Sequence, residues 1–187
     1  TIFDHGEAME HLLVIGGGPA GAATAIRAAR AGVNVTVFEK GVRGRDKVCG
    51  DGLTPRAVAA LHELEIDMDD AHRIDGLRMI AGTTRRELPW PDNGRFAPHG
   101  AVWPRRRLDE ALISVAEKAG AEICFETEAL PLLDGERVVG VEADGTKFEA
   151  PMTVVAAGAP GAVARMLGAE RDPNEPFGLA IRTYAES

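Results

Sequence analysis

Apolar and polar positions along the chain alternate between two patterns. Residues 12–15 (Leu-Leu-Val-Ile) are an unbroken apolar run, the mark of a strand buried on both faces. The glycine-rich stretch 16–21 follows, then an alanine-rich segment with helical spacing to about Ala31, which Gly32 stops. Residues 33–38 (Val-Asn-Val-Thr-Val-Phe) are rich in β-branched side chains and read as a second strand. Strand, helix and strand within thirty residues demand parallel strands joined by a crossover. After a polar loop over 41–52, Thr54-Pro55 reads as an N-cap with proline in the first turn, opening a helix to about Leu64.

The middle of the chain changes character. Residues 74–102 hold short strand-like pieces broken by Gly82, Pro89, Pro91, Gly94 and Pro98. Helical spacing returns over 105–119, with Leu108, Leu112, Val115 and Ala119 on one face and Gly120 as the stop. Strands are predicted over 121–125 and 153–157, and a hairpin over 137–150 turning at Asp144-Gly145. A short helix to Leu167 follows Gly158. The class is α/β with a β-rich insertion.

Composition narrows the function. A chain of 187 residues, 45% hydrophobic and 27% charged, can bury one core or one and part of a second. Its 21 basic against 29 acidic residues give a net charge of −8, which argues against nonspecific nucleic-acid binding. No apolar run reaches the roughly 18–20 residues that span a bilayer. Cys49 and Cys124 are too few for a disulfide scaffold or a zinc site, so no metal is expected. Residues 1–8 have no export character and read as an upstream extension or cloning remnant before a natural start at Met9. Without an export signal and with two free thiols, a cytoplasmic setting is expected.

The 22 glycines cluster where they carry chemistry. Gly16-x-Gly18-x-x-Gly21 follows an apolar strand and opens a helix, the context that makes the dinucleotide fingerprint specific. Gly16 permits the tight turn, Gly18 lets a pyrophosphate reach the backbone, and Gly21, with Ala25 one turn on, lets the helix approach the sheet. The helix N-terminus then offers unpaired N–H groups and its positive dipole end to the phosphates. Glu39 lies at the end of the second strand, where a carboxylate accepts from both ribose hydroxyls and repels a 2′-phosphate. The nucleotide is therefore FAD or NAD rather than NADP.

The loop Arg45-Asp46-Lys47-Val48-Cys49-Gly50-Asp51-Gly52-Leu53-Thr54-Pro55 is the second signal. Glycines at 50 and 52 suit backbone laid against a flat ring. From the residues alone, Cys49 is either a proton donor or channel-shaping thiol, or a small buried hydrophobe. Cys124, in an apolar strand, reads as core. Arg105-Arg106-Arg107 place cations where they oppose a helix dipole, so an anionic partner is expected for at least one. Arg106 and Arg107 otherwise read as surface ion-pairing residues.

With the glycine fingerprint, this loop resembles the geranylgeranyl reductase family, within the p-hydroxybenzoate hydroxylase-like flavoproteins, and in particular its actinobacterial menaquinone reductase branch. Gly76-Leu77-Arg78-Met79, Arg105-x-x-Leu108-Asp109, residues 153–158 and residues 178–184 carry the likeness further, from about Met9 to the C-terminus. The resemblance implies a Rossmann-like FAD-binding domain with β-rich segments from an incomplete substrate domain. It implies FAD held by Gly16, Gly18, Ala20, Gly21 and Glu39, with Cys49, Gly50 and Gly52 passing close to the flavin. Arg105 would contact the cofactor, and backbone near Ala129 would meet the adenine region. Cys49 is the candidate catalytic residue.

Such enzymes reduce isoprenoid C=C bonds of a prenyl lipid, with electrons from a nicotinamide or other donor. A long prenyl substrate implies peripheral contact with the cytoplasmic membrane, although no amphipathic anchor is visible. A related monooxygenase or halogenase, and a non-catalytic nucleotide-binding module, are the alternatives. Two departures from the family stand out: Ala157-Gly158 replaces an Asp-Gly pair, and the second flavin motif is absent. The expectation is an N-terminal portion of a reductase: residues 9–73 and 103–170 in the FAD domain, 74–102 as substrate-domain strands, and 171–187 starting the substrate domain.

Overall fold

The computed structural model describes residues 11–92, 94–158, 161–169, 172, 174–176, 178 and 181–183. The expectation for residues 1–8, and much of that for 171–187, lie outside them. Two compact units take in the described residues: unit 1 spans Thr1–Arg45 and Asp109–Ala180, unit 2 Asp46–Leu108 and Ile181–Ser187. Residues 46–73, assigned from sequence to the FAD domain, thus cluster with 74–108.

Unit 1 is built on a four-stranded parallel sheet. β1 (His11–Ile15) sits between β2 (Asn34–Phe38) and β12 (Met152–Val155), and β8 (Glu122–Cys124) pairs on the far side of β2. α1 (Pro19–Arg30) makes the crossover from β1 to β2 and buries Ala22, Ala25 and Ile26. Leu13, Ile15 and Phe38 point the other way, into a core shared with Ala129, Val141 and Ala143. Those last three belong to an antiparallel meander of β9 (Ala129–Asp134), β10 (Arg137–Ala143) and β11 (Thr146–Glu149). The sheet therefore lies between a helix and a meander, and β1 is apolar at every buried position because both faces are covered.

The sequence reading found β10 and β11 and their turn, where Asp144 and Gly145 have φ of 48° and 74°. It passed over β9. Gly140 lies at a register shift between β10 and β9, and a Cβ there would overlap the Phe148 carbonyl oxygen on β11. Cys124 was read as core; it is half-buried at the edge of the core cluster, where burial and then the Glu122 charge push its thiol pKa up.

Unit 2 pairs β3 (Gly52–Leu53), β7 (Gly100–Val102) and β4 (His72–Ile74) in a small antiparallel sheet. α2 (Pro55–Glu63) packs on it through buried Val58 and Leu61, and the Thr54 hydroxyl accepts from the Ala57 N–H at 3.4 Å as the expected N-cap. β5 (Gly76–Ala81) and β6 (Thr84–Pro89) form a hairpin with exposed side chains on both strands. Of α3 (Arg105–Lys118), residues 105–108 cluster with unit 2 and 109–118 with unit 1. α4 (Ala162–Met166) is the short helix expected after Gly158.

Among the described residues, the four helices end alike. After α1, α3 and α4 the chain turns at Gly32, Gly120 and Gly168, and the next residue donates back to a carbonyl five positions earlier. α2 makes the same closure, Ile66 N–H to Leu61 carbonyl at 3.0 Å, but its left-handed residue is Glu65, φ 55°. Replacing it by glycine relieves Cβ strain at a smaller cost in unfolded-chain entropy. Glu65→Gly is expected to stabilise the fold by about 0.5–1 kcal/mol, read as a higher urea midpoint at unchanged slope. Gly140→Ala is expected to destabilise by about 1–3 kcal/mol, because the methyl must displace backbone; an unchanged midpoint would contradict the close approach.

Candidate functional site

In unit 1 the predicted nucleotide residues gather at the C-terminal ends of the parallel strands, where open α/β sheets place their ligands. Gly16 carries φ 104°, and its N–H donates to the Phe38 carbonyl at 2.8 Å. The turn is tight on two sides. A Cβ on Gly16 would meet the Ala156 carbonyl oxygen, and one on Gly21 would overlap the Gly16 carbonyl oxygen. Gly18 is the N-cap of α1 and has no side chain to cap it, and Pro19 lacks an N–H, so the cap residue leaves the other first-turn amides open. Ala20, in the first turn, is exposed.

Glu39 is only 6% exposed, yet ionised. The Gly17 N–H donates to its Oε2 and the Gly41 N–H to its Oε1, each at 2.8 Å. Arg45 adds Nε at 3.1 Å and Nη2 at 3.0 Å, both to Oε1. Burial alone would raise the carboxyl pKa; the Gly41 and Gly17 amides and then Arg45 outweigh it and hold it below the ordinary glutamate value. Oε1 is crowded with donors, whereas Oε2 takes one from Gly17 and keeps acceptor capacity.

The backbone beside Glu39 is stitched to the segment leading into β9. The Glu39 N–H donates to the Cys124 carbonyl at 2.8 Å, and the Thr127 N–H to the Glu39 carbonyl at 3.1 Å. Ala129, buried, opens β9 two residues later. Arg43 lies over the Phe125 ring at 5.6 Å and bonds Glu110 and Glu117, fastening the loop after β2 to α3 within this unit. A shallow depression beside Glu39 is lined by Gly17, Val42, Arg45, Glu110 and Phe125.

Unit 2 holds the other predicted residues. Cys49 is a half-buried free thiol. A Cβ on Gly50 would meet nothing within 4 Å, and one on Gly52 only the Gly50 carbonyl oxygen at 3.9 Å. Arg105 opens α3, and its backbone N–H donates to Asp51 Oδ1 at 3.1 Å. Arg107 pairs with Asp70 at 2.6 Å on the surface, as expected of it. A separate cavity of about 350 Å³ in this unit, lined by Val58, His62, Ile66, Arg73, His99 and Ala101, includes none of the predicted site residues.

The structure thus brings Gly16, Gly18, Ala20, Gly21, Glu39 and the approach to Ala129 together in unit 1, and places Cys49, Gly50, Gly52 and Arg105 in unit 2. Three neighbours of these residues were missed from sequence. Gly17 must lack a Cβ because one would lie 2.9 Å from the Glu39 Cβ, a need visible only as the middle of three glycines. Arg45 pairs with Glu39 from a polar loop, where nothing marks it. Asp51 is buried between two glycines, and that placement was its one signal.

The unit 1 residues suit the diphosphate and ribose of FAD. The uncapped helix start offers amides, the glycines leave the turn bare, and Glu39 presents an ionised acceptor. Among the described residues no helix is long and apolar enough to cross a membrane. A family model described as an FAD binding domain matches residues 9–180. The chain is 39% identical over 178 residues to menaquinone reductase of Mycobacterium tuberculosis, covering 92% of this chain and 43% of that protein. It is 37% identical over 138 residues to digeranylgeranylglycerophospholipid reductase 1 of Methanopyrus kandleri, covering 72% and 34%. A geranylgeranyl bacteriochlorophyll reductase-like structure from Thermoplasma acidophilum superposes with a TM-score of 0.66 at 28% identity, over 80% of this chain and 40% of that one. The chain spans less than half the length of these relatives. It belongs to the FAD binding domain family.

Proposed function

We propose that this chain forms the nucleotide-binding part of an FAD-dependent reductase that hydrogenates isoprenoid C=C bonds of a prenyl lipid, a menaquinone side chain or a geranylgeranyl group. The carrying observation is the 39% identity to menaquinone reductase across 92% of the chain. A digeranylgeranylglycerophospholipid reductase from a second organism, at 37% identity, supports the same substrate class. Reducing equivalents would come from a nicotinamide or other donor, and a prenyl lipid would bring the protein to the membrane surface.

FAD, when bound, supplies two-electron redox chemistry at its flavin ring. The chain's own residues bind and orient it. The backbone amides of Gly18, Ala20 and Gly21, with Ala20 exposed, would receive the diphosphate, and the dipole of α1 would favour its charge. Glu39 would accept from the ribose, and backbone near Ala129 would border the adenine. Gly50 and Gly52 would give the flavin a face without side chains, Arg105 would offer a cation, and Cys49 would hold a proton at Sγ for the alkene carbon that needs one. Unlike Gly16, Gly17 and Gly21, Gly50 and Gly52 answer to no crowding among the described residues, which supports keeping that space for a ligand.

Glu39→Ala is expected to weaken FAD or ADP-ribose binding by about 10- to 100-fold, the worth of a hydrogen bond to a charged acceptor; unchanged affinity in a titration would remove the ribose role. Because its folded pKa is lowered, Glu39 contributes stability that is complete above its ordinary value of 4.5 and fades as pH falls through the lower folded value. Glu39→Gln should therefore flatten the acid limb of stability measured by urea unfolding from pH 7 to pH 3. Gly50→Ala and Gly52→Ala are expected to keep the parent's unfolding midpoint and lose flavin affinity. For the whole protein, deleting its gene should leave menaquinone or other prenyl lipids less saturated by mass spectrometry. Unchanged saturation, or oxygen-dependent turnover of an aromatic substrate, would overturn the reductase assignment.

A further inference from the structure

The loop carrying Cys49 contains an inversion that its sequence hides. Left-handed backbone favours glycine, and the residue that adopts it here is Asp51, with φ 56°. The glycines on either side, Gly50 and Gly52, have no positive φ and no crowding that would forbid a side chain. Asp51 is also buried, at 5% exposure, where an aspartate is retained only if its carboxylate is bonded. A strained, buried, charged residue in a loop points to something that over-determines it.

The carboxylate supplies that reason. Asp51 Oδ1 accepts from the Arg105 N–H at 3.1 Å, across 54 positions of sequence. The Asp51 carbonyl accepts from the Trp103 N–H at 2.9 Å, and Trp103 is 2% exposed. The next two residues, Gly52 and Leu53, pair with Val102 and Ala101. α3 begins with Arg105, Arg106 and Arg107 and has no acidic residue in its first turn. Asp51 therefore gives this helix the negative charge its own sequence withholds, at the end where anions are favoured.

We propose that Asp51 is a positioning residue for the cofactor. Its carboxylate fastens the Cys49–Gly52 loop to the start of α3, so that Gly50, Gly52 and Cys49 keep one fixed backbone course beside Arg105. This rests on the assignment of that loop to the flavin. Asp51 makes no direct contact with the reacting atoms in this scheme; it acts through the loop and through the Arg105 backbone.

The test compares the parent chain with Asp51→Asn, which keeps an acceptor oxygen, and Asp51→Gly, which relieves the backbone but removes the carboxylate. Alkylation of Cys49 by iodoacetamide, followed by peptide mass spectrometry without added flavin, reads the loop. FAD titration by fluorescence reads the cofactor, and thermal unfolding controls for folding. Expected are a Cys49 alkylation rate at least fivefold faster and FAD affinity about tenfold weaker in Asp51→Gly, at an unfolding midpoint near the parent's, with Asp51→Asn within twofold of the parent on both. A merely structural cap would move the midpoint and leave the two other readings together. An alkylation rate within twofold of the parent in Asp51→Gly overturns the proposal, and so does faster alkylation with unchanged FAD affinity. If the parent itself binds no FAD, the flavin assignment fails, and the alkylation rate alone decides whether Asp51 holds the loop.

Discussion

Between the end of β1 and the first turn of α1 there is no room for a Cβ, and the geometry of unit 1 follows from that constraint. A side chain at position 21 would overlap the Gly16 carbonyl oxygen, so only glycine lets the helix start directly over the strand end. The same closeness brings Gly17 against Glu39, where a second missing Cβ lets the Gly17 amide reach the carboxylate at 2.8 Å. On the other flank Gly16 approaches the Ala156 carbonyl oxygen, and the Ala156 N–H donates to the Ile15 carbonyl. Three strand ends and a helix N-terminus are thereby drawn to one point by the absence of side chains. The amides left there have no protein acceptor supplied by an N-cap side chain. A diphosphate is the kind of ligand that such an arrangement leaves wanting.

The parts of this fold that were legible in the sequence are those with a local cause. Residues 12–15 read as a strand because both faces are covered, and Gly32 and Gly120 read as helix stops because the closing turn needs left-handed backbone. The Asp144-Gly145 turn was visible for the same reason. β9 was not, because Pro131 interrupts it; the strand tolerates proline since it lies at the edge of the meander, paired with β10 alone. β3 is two residues long and carries no period to detect. At the site, Glu39 was legible from its distance to the glycines. Arg45 and Asp51 were not, since their partners are set by the path of a loop and, for Asp51, by a helix 54 positions away.

Two carboxylates carry comparable burdens in the two units. Each is nearly buried and each is bonded to backbone amides, Glu39 to those of Gly17 and Gly41 and Asp51 to that of Arg105. Amides are fixed dipoles, so a carboxylate held by them fixes the course of the chain that supplies them. Side-chain partners alone would do this less well, because long arginines keep rotamer freedom that a peptide group does not have. Glu39 fixes the phosphate turn against the end of β2. Asp51 fixes the start of α3 against the loop that precedes β3.

Magnitudes decide whether Asp51 earns its place energetically. Left-handed backbone at a non-glycine residue costs about 1–2 kcal/mol. A hydrogen bond to an ionised acceptor contributes about 1.5–3 kcal/mol, and an anion at a helix N-terminus about 0.3–1 kcal/mol more. The gain exceeds the strain by a modest margin, so the arrangement stands without any ligand but is not a large source of stability. Glycine at position 51 would avoid the strain and give up the carboxylate, so the fold would lose only that modest margin. What glycine could not do is hold the loop in one course while three arginines crowd the helix start. The choice of aspartate there is accounted for by position rather than by stability.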